Sequence, residues 1–212
     1  MNTTIYPQTL PKKTAQLLEL FSQKKPDFLS LFYLSGGTAL SLQLGHRESE
    51  DLDFFSSSSF EPDTIERQLL PYGTLSETEL SLGTLNTYLS GVKLQFLLYP
   101  YRLIEPLVNW EGVNLSSVVD IACTKLQTVG MRGSKKDFID LYFLLQQFSL
   151  ETLLAYTKKK YAESDYSETH ILKSLVYFDD AETQPMPRMH QDVSWNQIKE
   201  ALISAVKSIP II

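Results

Sequence analysis

Residues 31–55 read LFYLSGGTALSLQLGHRESEDLDFF, and this stretch leaves the chain few ways to fold. The apolar run 31–34 suits a short buried strand. Gly36 and Gly37 carry no Cβ, so the backbone there can turn sharply and approach a ligand closely. Residues 38–44 predict a short helix, with Leu40 and Leu44 on one face and Gly45 as its stop. The start of such a helix offers backbone N–H groups around Thr38 to phosphate oxygens. DLDFF follows as a strand that opens with Asp51 and Asp53. Residues two apart on a strand share a side, so the spacing predicts two carboxylates facing one way and Leu52 and Phe54 facing the core. Carboxylates that close repel each other unless a cation lies between them, and a hard ion such as Mg²⁺ suits oxygen ligands. The expected picture is two acids on an edge strand beside a glycine-lined phosphate cradle.

Taken singly, Gly-Gly is usually a turn and Asp-x-Asp usually a solvated pair. Their order, strand then Gly-Gly then helix then Asp-x-Asp strand, is more specific. In that order the stretch resembles the first motif of the DNA polymerase β-like nucleotidyltransferases. GGTAL…GHRESEDLDFF resembles, more narrowly, the AbiEii/AbiGii abortive-infection toxin branch.

The rest of the chain gives the setting. Residues 9–23 predict a helix with Pro11 in its first turn, and residues 62–70 another, with Ile65 and Leu69 inward. Residues 74–100 read as a meander of strands with tight turns. In its last strand Lys93, Gln95 and Leu97 share one side. In the polymerase β-like superfamily a third carboxylate comes from such a strand; the matching position here holds Gln95. Residues 100–113 read as a connector. Beyond it come helices over 118–129, from 134, over 150–161, over 169–178 and from 194, with Ser117, Ser134 and Ser194 as N-caps. Lys158, Lys159 and Lys160 read as a solvated cluster, and Asp179 and Asp180 as a loop at a helix C-terminus. Ile121, Lys125 and Val129 share a helix face, so Lys125 either snorkels to water or reaches an anion. Arg132, Lys135 and Lys136 crowd a helix start, where positive charge opposes the dipole and an anion would be welcome.

Two later motifs extend the resemblance. Asp120 and Lys125 in DIACTKLQT resemble the toxin branch's Asp…Lys helix motif. RGSKKDFIDL resembles its Arg-x-Lys-Asp-x-x-Asp-Leu motif, with one extra residue after Arg132. The resemblance implies a mixed α/β fold of nucleotidyltransferase type: a core over 1–112 with a mixed sheet and flanking helices, then a helical lobe over 113–212. It implies transfer of a nucleoside monophosphate from an NTP to RNA (tRNA among the candidates) or protein, in a bacterial toxin–antitoxin system with a cognate antitoxin. Asp51 and Asp53 would hold Mg²⁺, and Gly36, Gly37, Thr38 and Arg132 would bind the nucleotide. Lys125 or Lys136 would offset triphosphate charge, and Asp120 or Asp137 would orient the acceptor. The alternative is a degenerate member that binds a nucleotide or partner without catalysis, given Gln95.

Composition excludes other classes. A net charge of −6 means that bulk charge does not attract nucleic acid, so any RNA contact needs a local basic patch. The single Cys123 rules out an internal disulfide and suits a reducing cytoplasm. No signal peptide and no membrane-spanning run is evident.

Overall fold

The computed structural model describes residues 4–164 and 166–209. The chain forms two compact units. The first holds the described residues up to Arg102 together with Pro106–Ser117; the second holds Leu103–Glu105 and the described residues from Val118 onward.

The first unit is built on a seven-stranded mixed sheet. In chain order its strands are β1 (Tyr33–Ser35), β2 (Leu52–Ser56), β3 (Leu75–Ser81), β4 (Thr84–Leu89), β5 (Val92–Leu98), β6 (Val108–Trp110) and β7 (Val113–Leu115). Their spatial order is β3-β4-β5-β2-β1-β7-β6. Strand β2 runs antiparallel to β1 and parallel to β5, while β1 and β7 are parallel. So the acidic strand is the central one, and the edge position expected for it does not hold. Its apolar residues suit that place: Leu52 and Phe54 on one face and Phe55 on the other are all buried.

Three helices accompany this sheet: α1 (Lys12–Lys24), α2 (Gly36–Leu44) and α3 (Pro62–Leu69). Leu34, Phe54, Phe96 and Leu85 are register neighbours across β1, β2, β5 and β4, and all are buried. Phe54 and Phe96 stack at 5.1 Å, Phe32 meets Phe96 edge-on at 5.0 Å, and Phe21 of α1 meets Phe54 at 6.3 Å. Each such ring stabilises the fold by roughly 1.5–3 kcal/mol through burial alone.

Three expectations shift here. Helix α1 starts at Lys12 because Pro11 sits at the N-cap rather than in the first turn, and residues 7–9 form a separate 3₁₀ turn. The expected strand 31–34 starts at Tyr33. Asp27–Leu31 is a 3₁₀ turn after Pro26, closed by the Ser30 hydroxyl donating to the Asp27 carbonyl at 2.7 Å, and Leu31 is exposed. The connector 100–113 contains strand β6, whose hairpin with β7 puts β7 beside β1.

The second unit is helical: α4 (Val118–Met131), α5 (Lys135–Leu145), α6 (Leu150–Lys160), α7 (Glu168–Ser174), α8 (Asp179–Glu182) and α9 (Trp195–Lys207). Serines cap four of them. The side chains of Ser134, Ser149, Ser167 and Ser194 accept from the N–H groups of Asp137, Thr152, His170 and Gln197. Each cap contributes about 1 kcal/mol. Asp179 and Asp180 open α8 instead of closing a helix, so they sit at the favourable end of its dipole. Lys160 is not solvated. It is buried and pairs with Asp120 at 2.6 Å. Among the described residues no helix is long and apolar enough to cross a membrane.

Cys123 packs inside α4, where burial pushes its thiol up to about 11 against a smaller opposing effect of the Thr157 hydroxyl. The reactive species is the thiolate, so at neutral pH the native thiol is expected to resist a disulfide reagent. A thiol titration checks this: negligible reaction in buffer and one equivalent per chain in denaturant.

Candidate active site

The site in the first unit follows from sheet register. Ser35 of β1 pairs with Asp53 of β2, Asp53 with Gln95 of β5, and Gln95 with Asn86 of β4. This row lies one residue along from the buried Leu34–Phe54–Phe96–Leu85 row. A one-residue step changes face, so the four polar side chains share the face opposite the aromatic core. Gln95 Nε2 donates to Asn86 Oδ1 at 2.9 Å.

Strand β1 runs directly into α2 at Ser35. The Ser35 hydroxyl donates to Ser116 Oγ at 3.1 Å and makes no cap, so the N-cap side chain does not satisfy the first N–H groups of α2. Gly36 has φ +67°, the left-handed region that favours glycine. A Cβ there would also collide with Asp53 Oδ2. A Cβ on Gly37 would meet Arg47 Nη2 at 2.5 Å. Close approach favours glycine at both positions, and one of the approaching groups is the carboxylate itself. Gly36→Ala is expected to cost about 1–2 kcal/mol from the backbone alone and to displace Asp53 as well. A thermal melt and a Mg·NTP binding titration check it: a lowered midpoint together with lost binding.

Asp51 precedes β2 and is held by its backbone. The Thr38 hydroxyl donates to the Asp51 carbonyl at 2.5 Å and lies 2.9 Å from Ser49 Oγ. The Thr14 hydroxyl donates to the Glu50 carbonyl at 3.0 Å, and Ser49 N–H donates to the Thr9 carbonyl at 3.1 Å. Thr38 thus offers a ligand only its N–H; its side chain fixes the loop. Asp51 and Asp53 are half-buried while Leu52 and Phe54 are buried, the alternation expected of a strand.

The donor chemistry fits a hard divalent ion. Two carboxylates are oxygen donors, and Mg²⁺ characteristically completes its shell with waters and substrate phosphates. Among the described residues no group of three or more His, Cys, Asp or Glu side chains is arranged to hold a metal ion.

The remaining sequence candidates belong to the second unit. Lys125 of α4 does not snorkel to water. Its Nζ lies 2.8 Å from Asp137 Oδ1 and 2.6 Å from Asp140 Oδ2, and all three residues are buried. Ser134 Oγ donates to Asp137 Oδ2 at 2.5 Å, and Arg132 Nε lies 3.8 Å from the same oxygen. Asp120 accepts from the N–H groups of Ile104 (2.9 Å) and Glu105 (3.1 Å) besides pairing with Lys160, contacts that make it an anchor for residues 103–105. Lys136 is exposed. Lys135 is buried, with its ammonium donating to the Glu182 and Gln184 carbonyls and lying 4.9 Å from the Trp195 ring centre.

Sequence reasoning missed Asn86, Arg47 and Lys160. Arg47 is buried, with Nη1 donating to the Glu48 carbonyl at 2.9 Å. Its only signal was its place between the glycine turn and the acidic strand. Asn86 gave no signal, because a cross-strand partner cannot be read without register.

Comparison with known proteins agrees with this architecture. The family model "Nucleotidyl transferase AbiEii toxin, Type IV TA system" matches residues 20–86 and 97–209. An uncharacterized protein of Aquifex aeolicus strain VF5 is 39% identical over 184 residues, covering 83% of this chain and 86% of that one. Among solved structures, a candidate nucleotidyltransferase of Helicobacter pylori superposes with a TM-score of 0.57 at 17% identity, covering 93% of this chain and 94% of that one. MenT4, a nucleotidyltransferase toxin of Mycobacterium tuberculosis H37Rv, gives 0.52 at 12% identity, covering 94% and 87%. These two structures share the fold. The family match spans most of the chain, and the glycine turn and acidic central strand fall inside it, while residues 87–96, with most of β5, lie between its two parts: the chain belongs to the AbiEii family of nucleotidyl transferase toxins of type IV toxin–antitoxin systems.

Proposed function

We propose that this protein transfers a nucleoside monophosphate from an NTP to an RNA acceptor in a Mg²⁺-dependent reaction, as the toxin of a toxin–antitoxin pair. The observation that carries the reading is the placement of Asp53 against Gly36, which sets an acid beside the start of α2. The N–H groups of Gly37 and Thr38 bind phosphate oxygens there, aided by the helix dipole. Asp51 and Asp53 hold the ion, which neutralises triphosphate charge when bound. The pinned backbone at residues 49–51 holds the main chain from which the Asp51 carboxylate projects, which lowers the reorganisation needed during displacement. Within the second unit, exposed Arg132 and Lys136 at the start of α5 give an RNA phosphate backbone positive charge that the molecule as a whole lacks.

The test is incubation of the purified protein with each α-labelled NTP, Mg²⁺ and total cellular RNA. Labelled RNA, sensitive to ribonuclease and absent with a chelator, is the expected product; labelled protein would move the acceptor to a polypeptide. A second reading, nucleotide binding without transfer, is favoured by one observation: Gln95 occupies the strand position beside Asp53 where a third acid would complete the site. No label from any of the four NTPs, with Mg·NTP still bound, would establish that reading instead.

A further inference from the structure

The row Asp53–Gln95–Asn86 holds a feature that the proposed reaction does not use. Gln95 sits between an acid on β2 and an amide on β4. Its two amide atoms differ in kind: Nε2 only donates and Oε1 only accepts. Nε2 gives one of its two hydrogens to Asn86 Oδ1 at 2.9 Å. With Nε2 turned toward Asn86, the oxygen end of the Gln95 amide is left for other partners. An oxygen can ligate a cation beside a carboxylate; an N–H₂ group there would instead donate to Asp53 and compete with the cation.

We infer that Asn86 is a positioning residue that turns the Gln95 Oε1 outward as a neutral third oxygen donor beside Asp53. The inference rests on the metal-dependent reading above. It has a consequence for how the ion arrives. Two carboxylates and a neutral oxygen leave a divalent ion with no surplus negative charge, whereas three carboxylates leave one. Affinity for hard cations follows ligand charge count, so this site binds the free ion weakly. Without surplus negative charge it also repels a triphosphate less. The ion enters with the nucleotide, as the metal–NTP complex, and the bare site is largely metal-free.

The experiment is a Mn²⁺ titration of the full chain followed by electron paramagnetic resonance, with and without a non-hydrolysable NTP. Wild type is expected to bind Mn²⁺ weakly alone and much more tightly with nucleotide. Gln95→Glu keeps the side-chain length and adds one charge; it should tighten binding of Mn²⁺ alone by roughly tenfold. Asn86→Leu frees the Gln95 amide and should weaken Mn²⁺–nucleotide binding by roughly tenfold, the usual cost of losing an outer-shell partner. Asn86→Asp still accepts from Nε2 and should hold binding at or above the wild-type level. Circular dichroism confirms that each variant folds; if Asn86→Leu does not, Gln95→Leu gives the same reading on Mn²⁺–nucleotide affinity. Unchanged affinity in Asn86→Leu and Gln95→Glu, with binding still abolished by Asp53→Asn, would overturn the inference and leave the metal-site reading standing. Mn²⁺–nucleotide binding insensitive to Asp53→Asn would overturn both.

Discussion

Asp53→Asn is expected to lower nucleotidyl transfer about a thousandfold or more and to leave a folded protein. The substitution removes one charge and almost no volume. The backbone pairing of residue 53 with Ser35 and Gln95 does not depend on the side chain, so the sheet keeps its register. The carboxylate lies against Gly36 at the start of α2, where a negative charge is favourable by roughly 0.3–1 kcal/mol, so the stability cost is small. The measurement pairs a single-turnover transfer assay with a thermal melt: activity falls to background while the melting midpoint moves by a few degrees. A folded variant with wild-type transfer removes Asp53 from the chemistry.

The largest expected loss of stability comes from elsewhere. Lys160→Met leaves Asp120 without its ammonium in a site where both side chains are 1% exposed. An uncompensated buried charge costs about 3–5 kcal/mol. Two backbone donors, Ile104 N–H and Glu105 N–H, remain on the carboxylate and hold the expected loss toward the lower end. Asp120→Asn combined with Lys160→Met removes both charges and should recover a good part of that loss, a coupling that a double-mutant cycle in urea reads directly. If Lys160→Met alone costs less than about 1 kcal/mol, the pair behaves like a solvated one and the assignment of Asp120 as an anchor fails.

These two residues also show where the sequence stops informing. The side that Asp53 faces was legible because its signal is local: a glycine pair, a helix and an alternating strand. The caps at Ser134 and Ser194 were legible for the same reason, since a cap and its N–H are three residues apart. Lys160 looked like the last of three solvated lysines because its partner lies on α4, forty residues earlier in the chain. Lys125 showed its apolar helix face in the sequence but not its partners, which reach it from the next helix. The hairpin of β6 and β7 was invisible, since strands of three residues are too short to alternate detectably. The central position of β2 was equally hidden, because strand order depends on which segments pair and not on any one segment's pattern.

The central claim is spatial: Asp51, Asp53 and the Gly36–Gly37 turn surround one Mg·NTP. A crystal soaked with Mg²⁺ and a non-hydrolysable NTP tests it most directly. The account predicts density for one ion bonded to both carboxylates, with phosphate oxygens against the N–H groups at the start of α2. A triphosphate ordered elsewhere in the molecule, or an ion that leaves Asp53 untouched, would contradict it.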